Sequence, residues 1–185
     1  MTTMETGAAT ASLDRSGVWR LDPTRSTLGF RVRKFFWHPK GRFEAFGATL
    51  ERAVNGDVRV AFHAEARSVR TGIGLRDAHL RTRHFLDARR HPRITFESTS
   101  VEVAGADRLR IKGDLEIRGV RRPYEVEATV EASGEELRLR AAGAVERAAF
   151  GVVAPALVEM GGLMLGRTVD FVLDATLLPG PDELG

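Results

Sequence analysis

Residues Arg108 to Ile117 read R-L-R-I-K-G-D-L-E-I. Leu109, Ile111, Gly113, Leu115 and Ile117 fall on one side of a two-residue period, and Arg110, Lys112, Asp114 and Glu116 fall on the other. Successive side chains of an extended strand point to opposite faces, so this stretch predicts a strand with one face in an apolar interior and one in water. The same period continues outward in both directions. Downstream, a turn around Gly119 to Pro123 leads to Tyr124, Val126, Ala128 and Val130. Ser133-Gly134-Glu135 then turns into Leu137, Leu139, Ala141, Gly143 and Val145, and the last strand carries Val169, Phe171, Leu173, Ala175 and Leu177.

Upstream, Ile94, Phe96, Ser98 and Ser100 share a face before the phase slips to Val101 and Val103. Val58, Val60, Phe62, Ala64 and Ala66 form another apolar face, preceded by Asn55-Gly56-Asp57, a strong hairpin signal. Phe43 and Ala45 run out of phase with Phe46, Ala48 and Leu50, which reads as a β-bulge beside Gly47 that bends the strand. Leu28, Phe30 and Val32 precede it, and a short first strand carries Trp19 and Leu21. Eight long strands and a short first one, joined mostly by tight turns, predict an all-β, eight-stranded up-and-down antiparallel barrel, which closes its own edges.

Two stretches depart from the alternation. The first is the insertion near residues 73–92, where Gly72 and Gly74 break a strand and a short helix is expected over roughly 75–82. Asp77 is placed to satisfy N–H groups of the first helical turn, and Pro92 turns His91 away from helical angles. Leu75, Leu80, Phe85 and Leu86 give the segment an apolar payload, while Arg76, Arg81, Arg83, Arg89, Arg90 and Arg93 make it basic. It reads as a plug on a β structure, with Arg76 and Asp77 as an ion pair and cap that fasten it. The second departure, Gly151 to Arg167, contains Pro155, Gly161, Gly162, Met160 and Met164. It reads either as a lid over the barrel mouth or as a connection that fills the end of the core.

Composition bounds the function. The 185 residues suit one domain, read as a disordered tail over 1–16 and a barrel over 17–180. There are no cysteines, which excludes disulfides and thiolate metal sites. The N-terminus lacks the basic and apolar regions of a secretory signal, so a cytoplasmic location is expected. A net charge of +3 rests on 28 basic residues, 25 of them Arg, spread beside acidic ones over many strands. That is not the clustered stripe with an aromatic platform of a nucleic-acid binder, and no nucleic-acid partner is expected. His38, His63, His79, His84 and His91 are scattered, and the i, i+5 spacing of His79 and His84 does not make a helical metal pair. No metal site and no cofactor are expected. No Ser-His-Asp order, cysteine nucleophile or inward carboxylate pair is legible, so no enzyme activity is expected either.

Four stretches also carry a family resemblance: S-V-R-T-G from Ser68, R-D-A-H-L-R-T-R-H-F-L-D from Arg76, H-P-R-I-T-F-E-S-T from His91, and G-D-L-E-I-R-G-V-R-R-P from Gly113 to Pro123. In order and spacing, from Trp19 to Leu178, the chain resembles the YceI-like family of polyisoprenoid-binding, lipocalin-like barrels. It departs at Arg25-Ser26, where the family usually has His-Ser. The resemblance implies a long apolar isoprenoid lipid, a polyprenyl chain or an isoprenoid quinone, held in the barrel for carriage, buffering or sensing.

Residue size bears on the same point. An eight-stranded barrel is either filled by its side chains or holds a small ligand. Ala45, Ala64, Ala66, Gly113, Ala128, Ala141, Gly143 and Ala175 are small inward candidates, and they are compatible both with a lumen and with tight interdigitation. The resemblance favours the lumen. The side chains expected to meet a ligand are Phe30, Val32, Phe43, Phe62, Ala64, Phe85, Phe96 and Leu115, then Tyr124, Ala128, Ala141, Phe150, Leu157, Met160, Met164 and Phe171. The arginines of residues 75–90 fall on several helical faces, so few can converge on one phosphate, which favours a neutral head such as a quinone. An enzyme acting on an apolar substrate and a filled structural barrel remain alternatives. Transient membrane contact for ligand exchange and a homodimer are left open.

Overall fold

The apolar faces meet in one antiparallel sheet that closes on itself. In the computed structural model, which describes residues 16–33, 39–105, 107–153 and 166–180, the strands are β1 (Gly17–Leu21), β2 (Thr27–Val32), β3 (Lys40–Phe43), β4 (Phe46–Arg52), β5 (Val58–Glu65) and β6 (Val69–Arg70). They continue with β7 (Arg93–Val103), β8 (Arg108–Ile117), β9 (Val120–Ser133), β10 (Glu136–Glu146) and β11 (Thr168–Pro179). β11 pairs with β10 along one edge. Along its other edge it pairs first with β2, Val169 opposite Val32, and then with β1, Leu177 opposite Leu21.

β1 and β2 are therefore one bent stave, as are β3 with β4 and β5 with β6. Eight staves result, each beside its sequence neighbours, and the last closes on the first. This is the expected up-and-down barrel.

The bends lie side by side. A 3-10 turn at Pro23–Arg25 separates β1 from β2, Glu44 and Ala45 separate β3 from β4, and a second 3-10 turn at Ala66–Ser68 separates β5 from β6. Glu44 N donates to Ser68 O at 3.2 Å and Glu65 N to Ala45 O at 2.8 Å, so adjacent staves turn the corner together. The phase slip read beside Gly47 is thus a two-residue break at Glu44 and Ala45. Gly47 answers a different need, because a Cβ there would lie 2.7 Å from the His63 ring. The slip read after Ser98 is a bulge between Ser98 and Ser100. The turn read across Gly119 to Pro123 is shorter than expected. Arg118 (φ 54°) and Gly119 (φ 73°) make it alone, the two positive angles matching a tight hairpin, and β9 resumes at Val120.

One end of the barrel is filled. The β4–β5, β7–β8 and β9–β10 hairpins lie there. Trp19, Leu21, Leu109, Ala128, Val130 and Leu137 are all buried and form its floor. The Trp19 indole N–H donates to Glu135 O in the β9–β10 turn at 3.2 Å, satisfying its polar edge. The connections from β5 to β7, from β8 to β9 and from β10 to β11 lie at the other end.

The β5–β7 connection carries the single α-helix among the described residues, α1 (Gly74–Leu80), which ends two residues earlier than expected. Asp77 does not cap it. Ile73 holds the capping position without a side-chain bond, and the buried Asp77 carboxylate reaches back to accept from Thr71 N at 2.8 Å and from the Thr71 hydroxyl. Arg76 donates to Thr71 Oγ1 at 2.8 Å and to Thr71 O at 2.9 Å. The expected Arg76–Asp77 pair is therefore a clasp on Thr71, with each side chain using its charge on the segment that leaves β6. Across the mouth, Arg118 donates to Arg83 O at 2.7 Å and also to Gly151 O, tying the far side of the plug to the β8–β9 turn.

The Thr71 hydroxyl, then the Thr71 N–H and the nearby Arg81 and Arg70, hold the Asp77 carboxyl below its ordinary value of 3.8, against the opposing effect of burial. A folded pKa below the unfolded one stabilises the fold above about pH 4, and that stabilisation is lost as pH falls through the folded value. Asp77→Ala is expected to lower stability at pH 7 by about 1–3 kcal/mol, because it leaves the Thr71 donors unpaired. In urea titrations the gap between the variant and the parent should narrow as pH falls below about 4. A gap that is constant with pH would contradict the clasp.

Candidate functional site

Above the filled floor the inward faces do not meet. They leave a cavity of about 280 Å³ whose wall is almost wholly hydrocarbon. The strands set its lower wall through Leu50, Val60, Leu139, Ala175 and Leu177, each standing next to a floor residue or a strand partner of one. Its upper wall is aromatic. Phe30 and Phe43 pack with ring centroids 5.6 Å apart, and Tyr124 and Phe171 with centroids 6.2 Å apart. The plug closes part of the top with Leu80, Phe85 and Leu86, and the Phe85 ring packs T-shaped against His79 with centroids 5.0 Å apart.

Phe30, Val32, Phe43, Phe62, Ala64, Phe85, Phe96, Leu115, Tyr124, Ala141, Phe150 and Phe171 all lie in the wall. Ala128 does not. It pairs with Ala141 and Leu109 and is buried in the floor, one layer too deep to face the space. Leu157, Met160 and Met164 lie outside the described residues, as does most of the segment read as a lid.

The small residues behave differently from one another. Ala64, Ala141 and Ala175 widen the lumen. Gly113 and Gly143 do not, because neighbouring rings occupy the space that they vacate: a Cβ at Gly113 would lie 2.7 Å from the Phe96 ring and 2.2 Å from Glu97 O. A Cβ at Gly143 would lie 2.5 Å from the Tyr124 hydroxyl and 2.8 Å from the Phe171 ring. Ala45 is exposed at the break between β3 and β4, and Ala66 is buried in a 3-10 turn outside the wall. The lumen is thus made by alanines, while the glycines admit aromatic rings that line it.

Two polar side chains of the wall, Tyr124 and Arg147, are already bonded to backbone. The Tyr124 hydroxyl donates to Ala144 O at 3.0 Å, and burial pushes its pKa up against that bond. Arg147 is the charged wall residue that the alternation did not reveal, since it follows the last residue of β10. Its guanidinium donates to Gly166 O at 2.9 Å and to Val152 O at 2.7 Å, so it pins the β10–β11 connection to the barrel. Strand residues such as Leu28, Ile111, Val126, Val145 and Val169 were also missed individually, although each sits on an apolar face already read from the sequence. A molecule in this space would meet methyls and ring faces, and its recognition would rest on shape and burial.

The YceI-like domain pattern matches residues 19–177. The chain belongs to the YceI-like family. Protein YceI of Salmonella newport is 32% identical over 139 residues, covering 71% of this chain and 68% of that protein. A UPF0312 protein of Vibrio cholerae is 29% identical over 114 residues, so the chain spans 60% of the length of that relative. Among solved structures, Burkholderia cenocepacia BcnA superposes with a TM-score of 0.77 at 18% identity, covering 84% of this chain and 98% of BcnA. A polyisoprenoid binding domain from Saccharophagus degradans superposes at 0.73 with 16% identity, covering 90% and 100%. These two show the shared barrel fold.

In this YceI-like barrel the wall and the floor call for opposite responses to the same substitution. Ala141→Phe should fill lumen space and leave a folded barrel. Ala128→Phe should overpack the floor and cost about 1–3 kcal/mol. Urea unfolding of the two variants checks this, and equal destabilisation would mean that the lumen is not open at Ala141.

Proposed function

We propose that the protein binds one long, apolar isoprenoid lipid in the lumen, tail inward, for carriage, buffering or sensing. The observation that carries this reading is the unfilled, hydrocarbon-walled space above a solid floor. Each CH₂ moved from water into such a wall contributes about 0.8 kcal/mol, so a long chain binds without directional contacts. Membership of the YceI-like family and the likeness to a domain described as polyisoprenoid binding support the choice of chain.

A neutral head, such as that of a quinone, fits better than a pyrophosphate. Arg76 and Arg81 donate to the carbonyls of Thr71 and Val69, and Arg147 to those of Gly166 and Val152, so the arginines nearest the wall are bonded to backbone, with Arg81 Nε the one buried guanidinium nitrogen among them that has no partner. A pyrophosphate would need several convergent, uncommitted guanidinium groups to offset its desolvation. A filled structural barrel is disfavoured by the cavity itself.

Thermal unfolding with an added long-chain polyprenol or isoprenoid quinone tests the reading. Ligand at about a hundred times its Kd should stabilise the protein by about 2.7 kcal/mol. A short prenyl alcohol, which buries less chain, should do markedly less. If neither long-chain ligand shifts the transition, the lipid-binding reading fails.

A further inference from the structure

Between Arg70 and Arg93 the chain has seven arginines against two aspartates, a net +5, and since the whole protein is +3, all the rest of it is −2. Both aspartates of the segment, Asp77 and Asp87, are buried, so the surface it presents is almost purely basic. Among the described residues outside this segment, 19 basic residues against 18 acidic ones leave a net +1, so the net positive charge of the described residues is concentrated in the segment that forms the plug. Arg83, Arg89 and Arg90 are exposed and form no ion pair among the described residues, unlike Arg93, which pairs with Glu65, and Arg70, which pairs with Glu44.

The same segment exposes apolar side chains. Leu75 is 85% exposed and Ile73 49%, although five residues further along the same connection Leu80 lines the lumen. Their tip stands clear of the barrel, since a Cβ added to Gly72 or Gly74 on either side of Ile73 would meet nothing within 4 Å. Val153, beyond the carbonyl of Gly151 that Arg118 holds, is a further exposed aliphatic residue at this end. Exposed aliphatic residues scattered singly are ordinary. Two on one projecting tip, set in an unpaired basic field beside the mouth of an apolar lumen, are not.

We propose that this end of the barrel docks on an anionic lipid bilayer, with Ile73 and Leu75 entering the interface and Arg83, Arg89 and Arg90 facing the lipid phosphates. Basic residues near a negatively charged leaflet and aliphatic groups inserted beside them act together, each contribution being modest alone. A nucleic acid is a poorer match, because Ile and Leu offer no ring on which bases stack. A folded protein partner is also poorer, because stable interfaces bury about 800 Å² per side and this tip is narrow. The proposal rests on the lipid-binding reading only for its purpose, which is to place this end of the lumen against the phase that holds an apolar ligand.

The test is co-sedimentation of the intact protein with vesicles of phosphatidylcholine alone and of phosphatidylcholine mixed with phosphatidylglycerol, neither containing prenyl lipid. Binding to the mixed vesicles is expected, weakening steeply with salt, with much weaker binding to phosphatidylcholine alone. Replacing Arg83, Arg89 and Arg90 by Gln should weaken it by about fivefold for each arginine removed. The pair I73S/L75S should weaken it by about tenfold or more. Val54→Ser, which removes an equally exposed aliphatic side chain from the β4–β5 hairpin at the opposite end, should change nothing.

Absence of binding to the anionic vesicles by folded protein would overturn the proposal. So would a loss in V54S equal to that in I73S/L75S. It would also fall if I73S/L75S bound the vesicles unchanged while the protein bound RNA as tightly as lipid, because the segment would then be a general polyanion site. Vesicles free of prenyl lipid keep this outcome separate from that of the polyprenol titration.

Discussion

A barrel of eight antiparallel staves satisfies its edge hydrogen bonds only by closing, and closure fixes a radius that the inward side chains must then fill or leave empty. Everything particular to this protein follows from how the inward residues divide that task along the barrel axis. At one end Trp19, Leu21, Leu109, Val130 and Leu137 are large enough to meet across the axis, with Ala128 packed among them. Further along, Ala64, Ala141 and Ala175 are too small to meet across the axis and leave space in a wall that also carries aromatic rings. The filled end supplies the burial that folds the chain. The unfilled end leaves wall atoms without dispersion partners on one side, a deficit that an apolar ligand would remove.

The plug is held by polar chemistry that never enters the lumen. Thr71 is gripped by Arg76 and Asp77, and Arg118 crosses from the β8–β9 turn to the carbonyls of Arg83 and Gly151. Charged side chains bonded to backbone at the rim allow Leu80, Phe85 and Leu86 to face inward without bringing a charge with them. The arrangement separates two surfaces of one connection, apolar toward the barrel axis and basic toward solvent. That separation gives the molecule distinct ends, one filled and one basic.

The strand faces were legible because burial on one side and water on the other impose a period of two that no other element mimics. Leu109 to Ile117 is the clearest case, and the bulge after Ser98 was visible as a phase slip in the same signal. What was not legible depends on partners distant in sequence. The alternation assigns Ala128 and Ala141 to an inward face, but their depth along the axis depends on register with β8, β10 and β11. Gly113 and Gly143 read as spaces because the rings of Phe96, Tyr124 and Phe171 that occupy them come from neighbouring strands. Asp77 read as a helix cap because that is the local use of a carboxylate, and a threonine six residues earlier competed for it. Arg147 lies past the strand pattern, where no period applies.

The account stands on the lumen being a binding space for an isoprenoid chain. The most direct measurement is mass spectrometry of an organic extract of the protein purified from cells without detergent. A prenyl lipid or isoprenoid quinone recovered near one molecule per chain is the predicted result. An extract free of lipid, or one holding only straight-chain fatty acids from a protein that also refuses added isoprenoid, would contradict it.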